Sequence, residues 1–268
     1  MTRIPGRHFL RNLVERRALV AQLVRRDFQM RYVGSVAGWA WGVVHPIVQL
    51  GVWYFVFQVC LRMSLEDGVT HNYPMFLFAG FLPWMLFQET VTRSAGSLVE
   101  QSNLITRTVF PSEVVPVSIF LSSLIHHLIG LALFVVGAIF VLKTLSPMAL
   151  LLPLYMLLLG LLAVGVGWIV SSLHVYLRDT GQVLNVVMTL WFWLTPIMIP
   201  EDKVPEKFRF LVTWNPMSWM VRAYRYRLLS PTWPGWKELA ILSISSAGMF
   251  VIGGLFFRHL KRGFADVL

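Results

Sequence analysis

Charged residues fall so unevenly along this chain that they divide it into long uncharged windows. From 32 to 61, thirty residues pass without an Asp, Glu, Lys or Arg, and further windows follow at 68–88, 114–142, 144–177, 180–200 and 239–257. A bilayer core about 30 Å thick needs about 20 apolar residues of helix, because backbone polar groups in lipid must bond within their own segment. All the windows but the last are long enough, and the last is marginal. The pattern predicts an all-α integral membrane protein with six transmembrane helices in one domain over 1–268. The spans are expected at 34–60, 74–98, 117–141, 148–173, 179–199 and 237–257.

The stretches around these spans carry their own signals. Residues 9–31 place Leu10, Leu13, Val14, Val20, Ala21, Val24 and Phe28 near helical spacing among arginines. This predicts an amphipathic helix in the membrane interface, with a basic tail that only sets topology as the alternative. Pro46 implies a kink or a local readjustment of hydrogen bonds, and Gly80 with Pro83 an irregular path in the second span. Glu89 and Arg93 stand i, i+4, spaced to pair with each other or to line a polar cavity. Between 100 and 116, a short helix capped by Ser102 or Asn103 and stopped by Pro111 is expected. His126 and His127 fall within a span. With no carboxylate at helical spacing, neutral imidazoles bonded between helices are expected, a functional role being the alternative. Gly160, Gly165 and Gly167 mark close helix approach. Residues 200–236 contain an uncharged run too short to cross, and Trp214, Pro216, Trp219 and Tyr224 predict short helices at or dipping into the outer interface.

Charge then sets orientation. The net charge is +10, yet charged residues make up only 13% and hydrophobic ones 56%, against about 25% charged in a soluble domain. The cations cluster at span ends, which points to anionic lipid headgroups rather than nucleic acid. Residues 1–33 hold eight arginines against Glu15 and Asp27, and Arg258, Lys261 and Arg262 near the other end outweigh Asp266. Both termini are therefore expected in the cytoplasm, with 61–73, 143–147 and 200–236 outside. Basic residues in 200–236 run against that rule, so Arg222, Arg225 and Arg227 need a task. Arg222 and Arg225 either grip phosphate or acidic sugars bidentately or anchor an interfacial helix to headgroups. Cys60 is the sole cysteine, which excludes an intrachain disulfide.

Several chemistries are absent. The sequence has no Gly-x-x-x-x-Gly-Lys-Ser/Thr loop, no His-Glu-x-x-His, no paired cysteines and no nucleophile elbow. An enzyme reading is left with scattered polar residues such as Arg178 and Asp179.

The chain does carry a series of short motifs in order: Arg26-Asp27-Phe28, Arg31-Tyr32, Gly34-Ser35, Gly38, Trp41, Pro46, and Phe78-Ala79-Gly80-Phe81-Leu82-Pro83-Trp84. There follow Asn103-Leu104-Ile105, Phe110-Pro111, Val114-Val115-Pro116, Arg178-Asp179, Thr195-Pro196 and Trp214-Asn215-Pro216. The series resembles the membrane subunit of type-2 ABC exporters of polysaccharides, which export O-antigen, capsule and teichoic-acid polymers. The likeness implies a homodimeric permease of the bacterial inner membrane, joined by two copies of a separate ABC ATPase subunit. ATP and Mg would sit on that partner, with no cofactor or metal in this chain, and the substrate would be a lipid-linked glycan, O-antigen first and capsule next.

The resemblance also assigns roles. Arg25, Arg26, Asp27, Phe28, Arg31 and Tyr32 would belong to the interface helix. Asn103, Leu104, Ile105, Thr106, Arg107, Thr108, Val109, Phe110 and Pro111 would form the coupling helix in an ATPase groove, with Arg107 as a cation and Phe110 as an apolar anchor. Short helices in 200–236 would gate the outer side. Aromatic residues reach 14%, and flat rings stack on the apolar faces of sugars with little directional demand. Channel and gate candidates are Trp41, Trp53, Phe81, Trp84, Trp191, Trp193, Trp214, Asn215, Arg222 and Arg225, with helix packing or interface anchoring the alternative for any one ring. A lipid or drug exporter of the same superfamily and a membrane-bound transferase acting without an ATPase are the competing readings.

Overall fold

The computed structural model describes residues 16–31, 33–63, 70, 72–107, 110–143 and 145–268. Residues 9–15 of the expected interface helix, and Tyr32, Thr108 and Val109, lie outside these. Among the described residues all regular structure is helical.

Helix α1 (Arg17–Met30) is one-sided: Val20 and Leu23 are buried while Arg17, Arg25 and Arg26 are exposed. Helix α2 (Trp41–Trp53) passes through Pro46 and continues over Tyr54–Cys60 as a wider π coil, in which the Leu61 amide bonds the Val56 carbonyl at 2.9 Å. The helix thus continues through Pro46, and the change in hydrogen-bond pattern lies further on, over Tyr54–Cys60. Helix α3 (Tyr73–Glu100) starts on Asn72, whose side chain accepts from the Met75 amide at 3.1 Å. It is a single helix through Gly80 and Pro83, so the irregular path expected there is not found. Gly80 serves a close approach instead: a Cβ at this position would lie 2.5 Å from a guanidinium nitrogen of Arg225.

After α4 (Ser102–Arg107) and α5 (Val114–Val141), a turn capped by Ser146 leads into α6 (Leu152–Tyr176). Then come α7 (Thr180–Leu194), α8 (Arg209–Thr213), α9 (Pro216–Leu229), α10 (Trp236–Leu260) and the terminal turn α11 (Phe264–Val267). Helix α6 is the centre of the bundle, packed chiefly between α3 and α10, with Tyr155, Leu159, Ala163 and Trp168 fully buried. Glycine makes this possible. A Cβ on Gly253 of α10 would lie 2.1 Å from the Gly165 carbonyl oxygen of α6, so the two backbones touch. Gly160 and Gly167 similarly receive Phe120 and Ser94.

Among the described residues, four helical stretches can cross a membrane by length and composition: Trp41–Cys60, Val114–Val141, Pro147–Tyr176 and Trp236–Gly263. This is fewer than the six windows suggested, for two physical reasons. Helix α3 is long enough at 28 residues but carries Glu89 and Arg93 in its second half. Helix α7 is apolar but has only 15 residues, about 22 Å of rise, before the chain breaks at Thr195 and Pro196. Helix α9 buries Met217, Met220, Val221, Tyr224, Arg225 and Arg227 and packs on α3, so it belongs to the bundle rather than to its surface.

Candidate functional site

The two i, i+4 charge pairs on α1 and α3 lie side by side and cross-link. Asp27 pairs with Arg93, and Arg31 pairs with Glu89. Within each helix, Asp27 Oδ2 lies 3.6 Å from Arg31 Nε, and Glu89 Oε1 lies 3.8 Å from Arg93 Nη1. The result is a neutral ring of four charges in which each faces two of opposite sign. Glu89 and Arg93 therefore do pair with each other, as their spacing suggested, but their closer partners come from α1. Burial alone would raise the Asp27 carboxyl. Hydrogen bonds from Arg93 and Ser122 and the charges of Arg93 and Arg31 outweigh it and hold the carboxyl below its ordinary value of 3.8.

Helix α5 closes the ring. Arg31 Nη2 donates to Ser123 Oγ at 3.2 Å, and Nη1 contacts His126 Nδ1. A guanidinium only donates, so in that contact Nδ1 is the acceptor. Glu89 Oε1 lies 3.7 Å from the same ring nitrogen, so a carboxylate does reach His126, from another helix rather than from its own. His127 is buried, with Nδ1 3.2 Å from the Leu82 carbonyl and Nε2 3.4 Å from the Tyr224 hydroxyl. It bridges α3 and α9 as an interhelical imidazole.

Two cavities flank the charged ring. One, of about 280 Å³, lies between α2, α3 and α5 and is lined by Arg31, Trp41, His45, Glu89 and His126 among others. The other, of about 690 Å³, is the polar one. Thr92, Arg93, Ser97 and Glu100 of α3, Gln101 just after it, Arg26 and Asp27 of α1, Ser118 of α5, His174 of α6, and Gln182 and Asn185 of α7 surround it. Hydroxyls and carboxamides there offer donors and acceptors with nearly balanced charge, the chemistry that suits polyhydroxylated ligands.

The aromatic candidates divide into two groups. Trp53, Phe81, Trp84 and Trp191 pack together: Trp53 meets Phe81 edge-on at 4.4 Å, and Trp84 meets Trp191 at 6.4 Å. Trp84 is fully buried, its Nε1 donating to Gln88 at 2.7 Å. Trp41, Trp193 and Trp214 are exposed, Trp214 to 85%. Asn215 is a structural node. It caps α9 by accepting from the Met217 amide at 3.0 Å, accepts from Trp191 Nε1 at 2.8 Å, and donates to Thr195 Oγ1 at 2.9 Å.

The arginines expected to offer free cations on the outer side are engaged within the chain, which corrects that expectation. Arg222 grips Glu201 with two nitrogens, Nε at 3.0 Å from Oε1, and stacks on Trp219 at 4.5 Å. Arg225 is buried and donates to the carbonyls of Phe76, Pro196 and Ile197, the last two freed where α7 breaks. Arg227 is also buried, donating to the Thr232 carbonyl at 2.8 Å and lying 3.9 Å from Glu238. The three arginines do not form one exposed patch. The sequence could not reveal their partners, which are mostly backbone carbonyls.

In the expected coupling segment, α4 ends at Arg107, four residues before Pro111. Asn103, Leu104 and Thr106 are exposed, and Ile105 is half-buried against the core. Phe110 turns inward, packing with Val20 and Leu23 of α1 and Val114 of α5, and Pro111 is buried. Phe110 therefore anchors α1 to the bundle instead of projecting from it. Behind α4, the terminal turn α11 packs against it, Lys261 pairs with Glu113, and the Tyr176 hydroxyl donates to the Leu260 carbonyl at 2.8 Å. This buttress went unread in the sequence, as did the ring around Asp27. The one available signal for the ring was the repeated acid-x-x-x-Arg spacing in two distant segments.

Comparison with known proteins places these features in a family. A family model described as ABC-2 type transporter matches residues 18–229. An O-antigen export system permease protein RfbA of Klebsiella pneumoniae is 29% identical over 252 residues, covering 93% of this chain and 95% of the relative. RfbA of Myxococcus xanthus is 25% identical over 259 residues, covering 96% and 98%. The polysialic acid transport protein KpsM of Escherichia coli is 23% identical over 242 residues, covering 88% and 89%. Since the family model spans most of the chain, from α1 through α9, this protein belongs to the ABC-2 type transporter family.

Proposed function

We propose that this chain is the permease subunit of an ATP-driven exporter that moves a lipid-linked polysaccharide across the bacterial inner membrane. O-antigen is the first choice of polymer, following the names of two relatives, and capsule the next, with a third relative named for polysialic acid transport. The carrying observation is the polar cavity between α1, α3, α5, α6 and α7, ringed by hydroxyls and carboxamides, in a chain without a nucleotide-binding motif. The driving force must then come from elsewhere, and ATP with Mg belongs to a separate ATPase subunit in two copies.

In this reading the permease pairs with a second copy of itself. Helices α2 and α7 bury few of their own residues and expose Val44, Ile47, Val48, Val183, Val186 and Leu190, apolar faces available to that copy or to lipid. Six crossings, α3 and α7 being the two that composition alone does not identify, would leave both termini cytoplasmic. Asn103, Leu104 and Thr106 of α4 would face the ATPase, and 200–236 would close the outer side.

Deletion and complementation test the function. A host lacking the chain should lose the surface polymer and accumulate it inside the cell, and restoration should require both this chain and its ATPase subunit. Restoration by the chain without any ATPase would instead favour a transferase. For orientation, cysteines at 5 and 265 in a Cys60→Ser background should resist an impermeant thiol reagent in intact cells, and labelling of either would overturn it.

A further inference from the structure

Between α1 and the first turns of α5 runs a groove of about 1030 Å³. Its floor is apolar, with Val20, Val24 and Phe28 of α1 facing Leu121 and Ile125 of α5. Arg17 and Arg25 also line it, both exposed and about 12 Å apart along the helix. Among the described residues, no carboxylate lines this groove. It is distinct from the two cavities beside the charged ring.

We propose that this groove is a binding site for one anionic glycerophospholipid, with an acyl chain along the apolar floor and the phosphate held by Arg17 or Arg25. The two halves of the groove match the two halves of such a molecule. The floor belongs partly to α5, a helix long and apolar enough to cross the bilayer, so hydrocarbon is its natural neighbour. A guanidinium presents two parallel N–H donors to phosphate oxygens, a geometry that favours it over lysine for this task. The charge is complementary to phosphate and would repel a choline or a basic helix. The site also has a mechanical connection: the Phe28 ring at its end lies 5.6 Å from the His126 ring, and His126 contacts Arg31 of the four-charge ring. Lipid in the groove would hold α1 at the angle from which Asp27 and Arg31 reach α3. The inference depends on the membrane placement of α5 and not on which polymer is exported.

The test uses the permease with its ATPase subunits in mild detergent, equilibrated with equal amounts of phosphatidylglycerol and phosphatidylcholine. After gel filtration, retained lipid is quantified by mass spectrometry. Phosphatidylglycerol should be retained in preference, with the Arg17→Ala, Arg25→Ala double variant losing about fivefold for each arginine removed. The charge-matched Arg16→Ala, Arg26→Ala variant, altered outside the groove, should retain the lipid. Val24→Trp, which fills the floor with both arginines intact, should lose it. Ala21→Leu, a smaller addition to the same wall, gives the same reading if Val24→Trp does not elute as an intact complex. Equal retention of the two lipids, equal loss in both arginine variants, or undiminished retention in the filled groove would each overturn the site. So would disulfide capture of a second permease or of the ATPase through Ala21→Cys in place of lipid.

Discussion

Arg31 and Glu89, 58 residues apart in sequence, join the end of α1 to α3. Their side chains are only 15% and 27% exposed, so neither charge can fall back fully on water. Glu89→Gln leaves two guanidinia sharing one carboxylate and is expected to destabilise the purified permease by about 3 kcal/mol, the lower end for breaking a buried pair. Thermal unfolding in detergent measures this. In a double-mutant cycle with Arg31→Gln the coupling should be at least about 1 kcal/mol. Strict additivity would mean that the two residues do not interact.

The same ring predicts an acid response. The Asp27 carboxyl is held below its ordinary 3.8, so folding favours its charged form. Its contribution is complete above pH 3.8 and is lost as pH falls below that value through the folded-state one. The Tm gap between wild type and Asp27→Asn should therefore stay constant from neutral pH into mild acid and narrow only below the usual carboxylate range. A gap that closes near pH 6 would assign the effect to another group.

Position within the coupling segment separates two kinds of variant. Leu104 and Asn103 are exposed, so the Asn103→Ala, Leu104→Ala double variant should keep the wild-type Tm while ATP hydrolysis by the full complex loses its dependence on the permease. Phe110 packs against α1, so Phe110→Ala should lower stability by about 2 kcal/mol, below the range for fully buried aromatics because the ring is only partly covered. Unchanged hydrolysis in the first variant, or an unchanged Tm in the second, would reverse these assignments.

Arg222 and Arg225 should respond differently to lysine. Arg225 spreads three nitrogens over three carbonyls and sits over the Phe76 ring, its guanidinium carbon 3.6 Å from the ring centre. A single ammonium cannot reproduce that fork, so Arg225→Lys should cost about 2 to 4 kcal/mol and reduce folded yield. Arg222 is partly exposed beside Glu201, and Arg222→Lys should change stability by less than about 1 kcal/mol. Export at matched expression adds a second readout. Normal stability with lost export in Arg222→Lys would restore a role for that residue in contacting substrate.

Much of the architecture was visible in the charge spacing, because long helices in lipid must exclude ions and the intervals between ions therefore outline them. The stripe through Val20 and Val24 likewise showed that α1 has one apolar face. The pairing of Asp27 with Arg93 was hidden, since it depends on how α1 lies across α3 and no local pattern fixes that angle. The arginines of 200–236 were visible as an anomaly, but their resolution was not. Arg225 is held by carbonyls released where α7 breaks at Thr195 and Pro196, and backbone acceptors leave no mark in side-chain sequence. Phe110 was misplaced for a related reason: an apolar residue beside a short helix reads the same whether it packs inward or outward.

Where Gly165 meets Gly253, α6 and α10 have no clearance left between their backbones. Two rods in such contact behave as one stiff beam, because rotating either about its own axis would drive atoms into overlap. Helices α2 and α7, which bury little beyond Trp53 in one and Leu184 and Met188 in the other, have no comparable clamp. Bending is therefore expected in α2 and α7 rather than in the α6–α10 pair, and even one methyl group at Gly165 or Gly253 would act as a wedge that splays that pair.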